Sequence, residues 1–171
     1  MRLTFPAAAG FLLCLSVPAA AEDAAPCAAN LVCASAPATV VEAMEKAEFE
    51  PKLSKDRDGD PMIESNVAPY QFSLFFYGCT EHVKCDSLRF ESAFEKAPEN
   101  TLELANKWNA QKRFLQAFIR PNGEFVVAYD LATIGGLNKN NFADVLAWWN
   151  NQLEELATFF EEEIPKTRAK K

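Results

Sequence analysis

Apolar and polar positions alternate most regularly in Tyr70-Gln71-Phe72-Ser73-Leu74-Phe75-Phe76-Tyr77, where every even position is large and apolar. A period of two puts those side chains on one face, so the segment predicts a strand with that face on the core. Gly78-Cys79 ends it, and Cys85–Phe90 predicts the next extended stretch. Upstream, Val40, Val41, Met44 and Ala47 recur at helical spacing and predict a helix from Thr39 to Glu48. Phe49–Lys55 and Pro61–Val67 then read as two strands around Asp56-Arg57-Asp58-Gly59-Asp60, a turn in which Gly59 is free to take positive φ.

Asn100 with Glu103 three residues on has the spacing of a reciprocal helix cap. It predicts a helix to Ala110 with Leu104 and Trp108 on one stripe. Arg113–Arg120 and Glu124–Leu131 predict a hairpin around Pro121-Asn122-Gly123, and Gly135-Gly136 a loop. Phe142, Val145, Leu146, Trp149, Leu153, Leu156, Phe160 and Ile164 share one side of a long last helix stopped by Pro165. The order is α-β-β-β-(β)-α-β-β-α. Segregated helices and hairpin-linked strands predict an α+β two-layer sandwich with an antiparallel sheet.

The first residues read as a targeting segment. Arg2 is followed by an apolar stretch from Leu3 to Val17, then Pro18 and the A-x-A signature Ala19-Ala20-Ala21. That stretch is too short for a membrane span, which needs about 20 residues. The expectation is a signal peptide over 1–21, cleavage near Ala21, and a periplasmic or secreted product with no membrane span. Residues 22–37, rich in Ala and Pro, predict a flexible segment, 38–164 the domain, and 165–171 a basic tail. Net charge is −7, and the product would be more acidic still, because the leader carries Arg2 and no acid. Bulk charge therefore argues against nucleic acid or an anionic membrane as partner.

Cysteine usage fits the same picture. Four cysteines follow the expected cleavage, Cys27, Cys33, Cys79 and Cys85, in two pairs of identical spacing. An even count in an exported chain predicts disulfides. Three connectivities are open, and the local one, Cys27–Cys33 with Cys79–Cys85, needs the least chain closure.

Several pieces in order carry a resemblance: Gly59-Asp60-Pro61, Phe76-Tyr77-Gly78-Cys79, Asn106-Lys107-Trp108-Asn109 with Arg113-Phe114, Tyr129-Asp130 and Gly135-Gly136. Over roughly residues 38–163 the chain resembles the YbjN family, bacterial proteins labelled as sensory transduction regulators. The resemblance implies a fold like that of type III secretion chaperones, a twisted antiparallel sheet with helices that often dimerises. It implies no catalytic residue. The Cys27–Cys33 segment has no counterpart in the pattern.

Candidate chemistry is sparse. Cys79, His82 and Cys85 have a zinc-like spacing, but a fourth ligand would have to come from Glu81, Asp86 or the distant Cys27 and Cys33. In an oxidising compartment a disulfide with an exposed His82 is the expectation. Asp56, Asp58 and Asp60 resemble the start of a calcium loop, which then fails at Pro61 and Val67. With one histidine and no Gly-x-Ser-x-Gly elbow, hydrolase signatures are absent, as are phosphate-binding loops, and no cofactor is expected. Asn106, Asn109 and Arg113 sit at a helix-to-strand corner, either lining a cleft or satisfying backbone groups. Trp148 and Phe159, with Gln152 and Glu155 between them, share a flank of the last helix that is either a recognition surface or part of a wide core stripe. Together these features predict an exported, non-enzymatic protein acting by protein binding or homodimerisation. The alternative is a periplasmic small-ligand or metal sensor using Cys79, His82 and Cys85 or the open sheet face.

Overall fold

A computed structural model describes residues 27–67 and 69–164. The expected leader, residues 22–26 and the basic tail lie outside the described residues.

The strongest alternation gives the strands as read. β3 (Pro61–Val67) and β4 (Tyr70–Tyr77) pair antiparallel, with Ser65 opposite Phe72. β2 (Lys52–Lys55) pairs on the outer side of β3. β5 (Ser87–Phe94) continues past Phe90, because β7 (Phe125–Ala132) supplies a partner along its whole length. β6 (Gln116–Ile119) closes the far edge, giving the order β2-β3-β4-β5-β7-β6.

Side chains at alternate positions go to opposite faces. Ile63, Val67, Phe72, Leu74, Phe76, Leu88, Phe90, Phe125 and Val127 point to the face covered by helices and form one core with them. α1 (Pro37–Lys46) contributes Val40 and Met44. α2 (Leu102–Gln111) contributes Leu104, Ala105 and Trp108. α3 (Lys139–Glu163) contributes Phe142, Leu146, Trp149, Leu153, Leu156 and Phe159. Trp149 lies at the centre, with ring centroids 5.5 Å from Phe72 and 5.3 Å from Phe90. The architecture is the α+β two-layer sandwich.

Three readings are corrected. The cap of α2 is Thr101, whose Oγ1 accepts from Leu104 N at 3.1 Å, while Asn100 Nδ2 donates to Glu95 O and Gly123 O. Thr101 has the extended backbone that a cap requires, and Asn100 braces the next hairpin instead. The segment expected to be loose up to residue 37 is ordered from Leu31. There β1 (Leu31–Val32) pairs with β8 (Leu137–Asn138), and Val32 and Ala34 are fully buried. Phe159, a candidate for partner binding or for a wide core stripe, belongs to the core: it is buried at 3% exposure because α2 packs there, with Trp108 at 5.3 Å.

Both local disulfides, Cys27–Cys33 and Cys79–Cys85, are formed. The second closes the loop between β4 and β5, where Thr80 and Val83 exchange backbone hydrogen bonds across Glu81 and His82. Glu81, His82 and Lys84 all have positive φ, at 50°, 62° and 52°. With its two sulfurs bonded to each other, the Cys79–Cys85 pair offers no free thiolate to a metal. His82 Nδ1 turns to Asp60 Oδ1 at 2.8 Å. The Asp56–Asp60 segment is a turn: Asp56 Oδ1 accepts from Asp58 N and Asp60 N, both at 2.9 Å.

Candidate functional site

The corner between α2 and β6 is where separate sequence candidates converge. α2 ends at Gln111, with Lys112 N donating to Trp108 O at 2.9 Å. Leu115 N then donates to Arg113 O at 2.9 Å, closing a three-residue turn whose central residue, Phe114, has φ 71°. That is the rarer, strained form of the γ-turn, and a bulky residue adopts it at a cost of order 1–3 kcal/mol.

The surroundings hold the turn in place. Leu115 is buried, and its carbonyl accepts from Trp108 Nε1 at 3.1 Å. Two residues on, Asn109 clamps the backbone of Ala117, accepting from its N–H at 2.8 Å and donating to its carbonyl at 2.9 Å. Asn109 thus satisfies the backbone of an edge strand. Asn106 is exposed on α2 and has no side-chain partner among the described residues.

The strained turn points Phe114 outward, onto α3. Its ring lies 4.2 Å from that of Trp148 at 33°, and 6.3 Å from Tyr129 edge-on. The Arg113 guanidinium lies 4.7 Å from the Phe114 ring centre, within cation–π range. Phe114 and Trp148 remain 38% and 39% exposed, a level at which such large rings are informative. Beside them Glu155 Oε2 accepts from Lys112 Nζ at 2.9 Å and from Gln152 Nε2 at 3.0 Å. Arg113, Trp148, Gln152 and Glu155 therefore share one surface, and Phe114 replaces Phe159 as its second aromatic. In sequence Phe114 figures only in the family resemblance and not as a site residue, because it falls where a strand was expected to begin and only the turn reveals its direction.

The face of the sheet away from the helices carries a second constellation. Register places Lys52, Glu64, Ser73, Glu91, Ala128 and Gln116 in one row across all six strands. Glu91, 9% exposed, is held by Arg120 and by Arg89 Nε at 3.5 Å. Arg89 also pairs with Asp130 at 3.1 Å, and Arg120 with Glu124 at 2.9 Å. The hydrogen bond from Arg120 holds the Glu124 carboxyl below its usual range, and the bond to Glu124, with further pull from Glu91, raises Arg120. All these charges are mutually satisfied, so the ladder fixes β5, β7 and β6 together. A shallow cleft of about 330 Å³ beside it is lined by Glu50, Lys52, Glu64, Asn66, Gln71 and Ser73.

The model of the YbjN family, described as "Putative bacterial sensory transduction regulator", matches residues 36–162. The chain belongs to the YbjN family. Among solved structures it is similar to YbjN of E. coli, described there as "a putative transcription regulator". The two share 17% identity at a TM-score of 0.52 over 77% of this chain and 93% of that one, a likeness of fold. It is also similar to the Yersinia pestis type III secretion chaperone SycH, solved in complex with a stable fragment of YscM2. That match has 10% identity and a TM-score of 0.45 over 70% of this chain and 94% of the other. No curated protein matches the chain. The YbjN match runs from the start of α1 almost to the end of α3, so it takes in Arg113, Phe114 and Trp148 and leaves Cys27 and Cys33 outside.

Proposed function

We propose that this YbjN-family protein is an exported, non-enzymatic binding protein of the bacterial envelope that engages protein, another chain or its own copy, through the Phe114–Trp148 platform. One observation carries the reading: two large rings are held partly exposed and in contact by a backbone turn that costs free energy to maintain. Strain of this kind persists only where the surroundings over-determine it, and here Trp108, Asn109 and Leu115 do so. Exposed Trp beside Arg is the composition of binding hot spots rather than of ordinary surface.

The platform predicts a specific loss. The double variant Phe114→Ser/Trp148→Ser should stay folded, because both side chains are partly exposed, yet lose self-association or cross-linked capture of envelope proteins. Burial of one such ring in an interface is worth roughly 2 kcal/mol or more, so loss of even one should cut affinity about thirtyfold and the double variant by more. Light scattering and cross-linked pull-downs indistinguishable from those of the parent would remove the platform from the function.

Export has its own support. The A-x-A leader precedes two disulfides, which suit an oxidising compartment. Among the described residues no helix is long and apolar enough to cross a membrane. Intact mass of the protein recovered from its host should place the first residue at Glu22 and show two disulfides. A product that keeps Met1 with free thiols contradicts export.

A further inference from the structure

Arg113 stands apart from the other cations at this corner. Lys112, its neighbour, is neutralised by Glu155 at 2.9 Å, and Glu155 is satisfied a second time by Gln152. Arg113 has no carboxylate within ion-pair distance among the described residues, and its guanidinium rests against Phe114. A guanidinium stacked on a ring keeps its N–H edge outward, which is the geometry that grips a carboxylate through two parallel hydrogen bonds.

Phe114 is engaged by Arg113, Tyr129 and Trp148, whereas Trp148, equally exposed, meets only Phe114 among these and presents the larger ring to a partner. Asp144 lies four residues before Trp148 on α3, exposed, and gives the far end of the platform the opposite sign. The site is therefore polar along its length: a free cation at the Arg113 end, a ring in the middle, an acid beyond it.

Resting on the binding role proposed above, we infer that the platform takes an extended peptide segment of another protein carrying an aromatic side chain beside a carboxylate. The ring stacks on Trp148 and the carboxylate is held by Arg113, in that orientation because Asp144 repels the reverse one. The chain as a whole is acidic, at −7, so an acidic ligand gains nothing from the general field. What holds it at this corner is the local pairing of an unpaired guanidinium with an exposed ring.

The test titrates the purified protein with a hexapeptide, acetylated and amidated at its ends, that holds one Phe next to one Asp. Binding is followed through the indole N–H signal of Trp148, assigned by its loss in Trp148→Phe. The expected result is a saturable shift. It should weaken roughly tenfold in Arg113→Gln, weaken as much when the peptide's Asp becomes Asn, and vanish in Phe114→Ser. Equal binding of the Asn peptide, or undiminished binding to Arg113→Gln, overturns the inference. Shifts that follow protein concentration alone and ignore the peptide also overturn it and give the platform to a second copy. The Phe114→Ser/Trp148→Ser variant separates the two proposals: loss of capture there, with no dependence on Asp here, leaves a protein-binding platform of different chemistry.

Discussion

Trp149→Ala should remove about 3–5 kcal/mol of stability, more than any change at the surface, because it empties the middle of the core. Trp149 is fully enclosed between Phe72, Phe90 and the helices, and no neighbouring side chain can swing into its place without leaving its own. The sharper test compares two milder variants. The Trp149 indole N–H has no acceptor among the described residues, so Trp149→Phe gives up packing area alone. Trp108→Phe gives up similar area and also strips the Leu115 carbonyl of its only indole donor, a further penalty of about 1–3 kcal/mol for a buried acceptor. Urea unfolding of the two variants should rank Trp108→Phe as the more damaging. The reverse order would mean that the Trp108–Leu115 bond does not hold the corner as described. It would also remove one support of the Phe114 turn.

Replacing all four cysteines by Ser should cost about 4–5 kcal/mol, since each short loop contributes roughly 2–2.5 kcal/mol by the chain-entropy estimate. For a domain of this size, whose stability is of order 5–15 kcal/mol, that is a large share. The two bridges should not contribute equally. Opening Cys27–Cys33 frees the segment that buries Val32 and Ala34 and relaxes a single positive-φ residue, Asn30, a type that tolerates that conformation. Opening Cys79–Cys85 lets Glu81, His82 and Lys84 leave their positive-φ conformations, each unfavourable by about 1 kcal/mol, and the folded state regains part of the loss. Cys79→Ser/Cys85→Ser should therefore be the milder change in denaturant unfolding. If it proves the more severe, the loop is not strained and the bridge, not the His82–Asp60 contact, is what holds it.

The parts of the fold that were legible are those where one physical pattern dominates. β3 and β4 run over the residues that alternation marks, because one face is buried and the flanking Gly59 and Gly78 stop the pairing. α3 was legible for its length and core line. Its width at the C-terminal end was not, because Phe159 becomes core only where α2 packs beside it. The β1–β8 ribbon left no trace, since two residues are too few to show a period and their partners lie far away in sequence. The same reason hides the ion ladder: Arg89, Glu91, Arg120 and Asp130 look like ordinary alternating polar positions until the register brings them together. Most of the candidate site was visible. Trp148, Gln152, Glu155 and Arg113 drew notice as unusual residues, whereas Phe114 is defined by a backbone angle that no side-chain pattern encodes.

The pairing of Leu31–Val32 with Leu137–Asn138 sets a timetable for the birth of the molecule. A chain is made from its N-terminus, so the opening segment waits, unpaired, until more than a hundred further residues have followed it. Closing so distant a contact is slow, because the chain must first surrender the freedom of everything between. The residues that emerge first are thus among the last to settle. The Cys27–Cys33 bridge, which needs only neighbours, can give that waiting end its shape in the meantime.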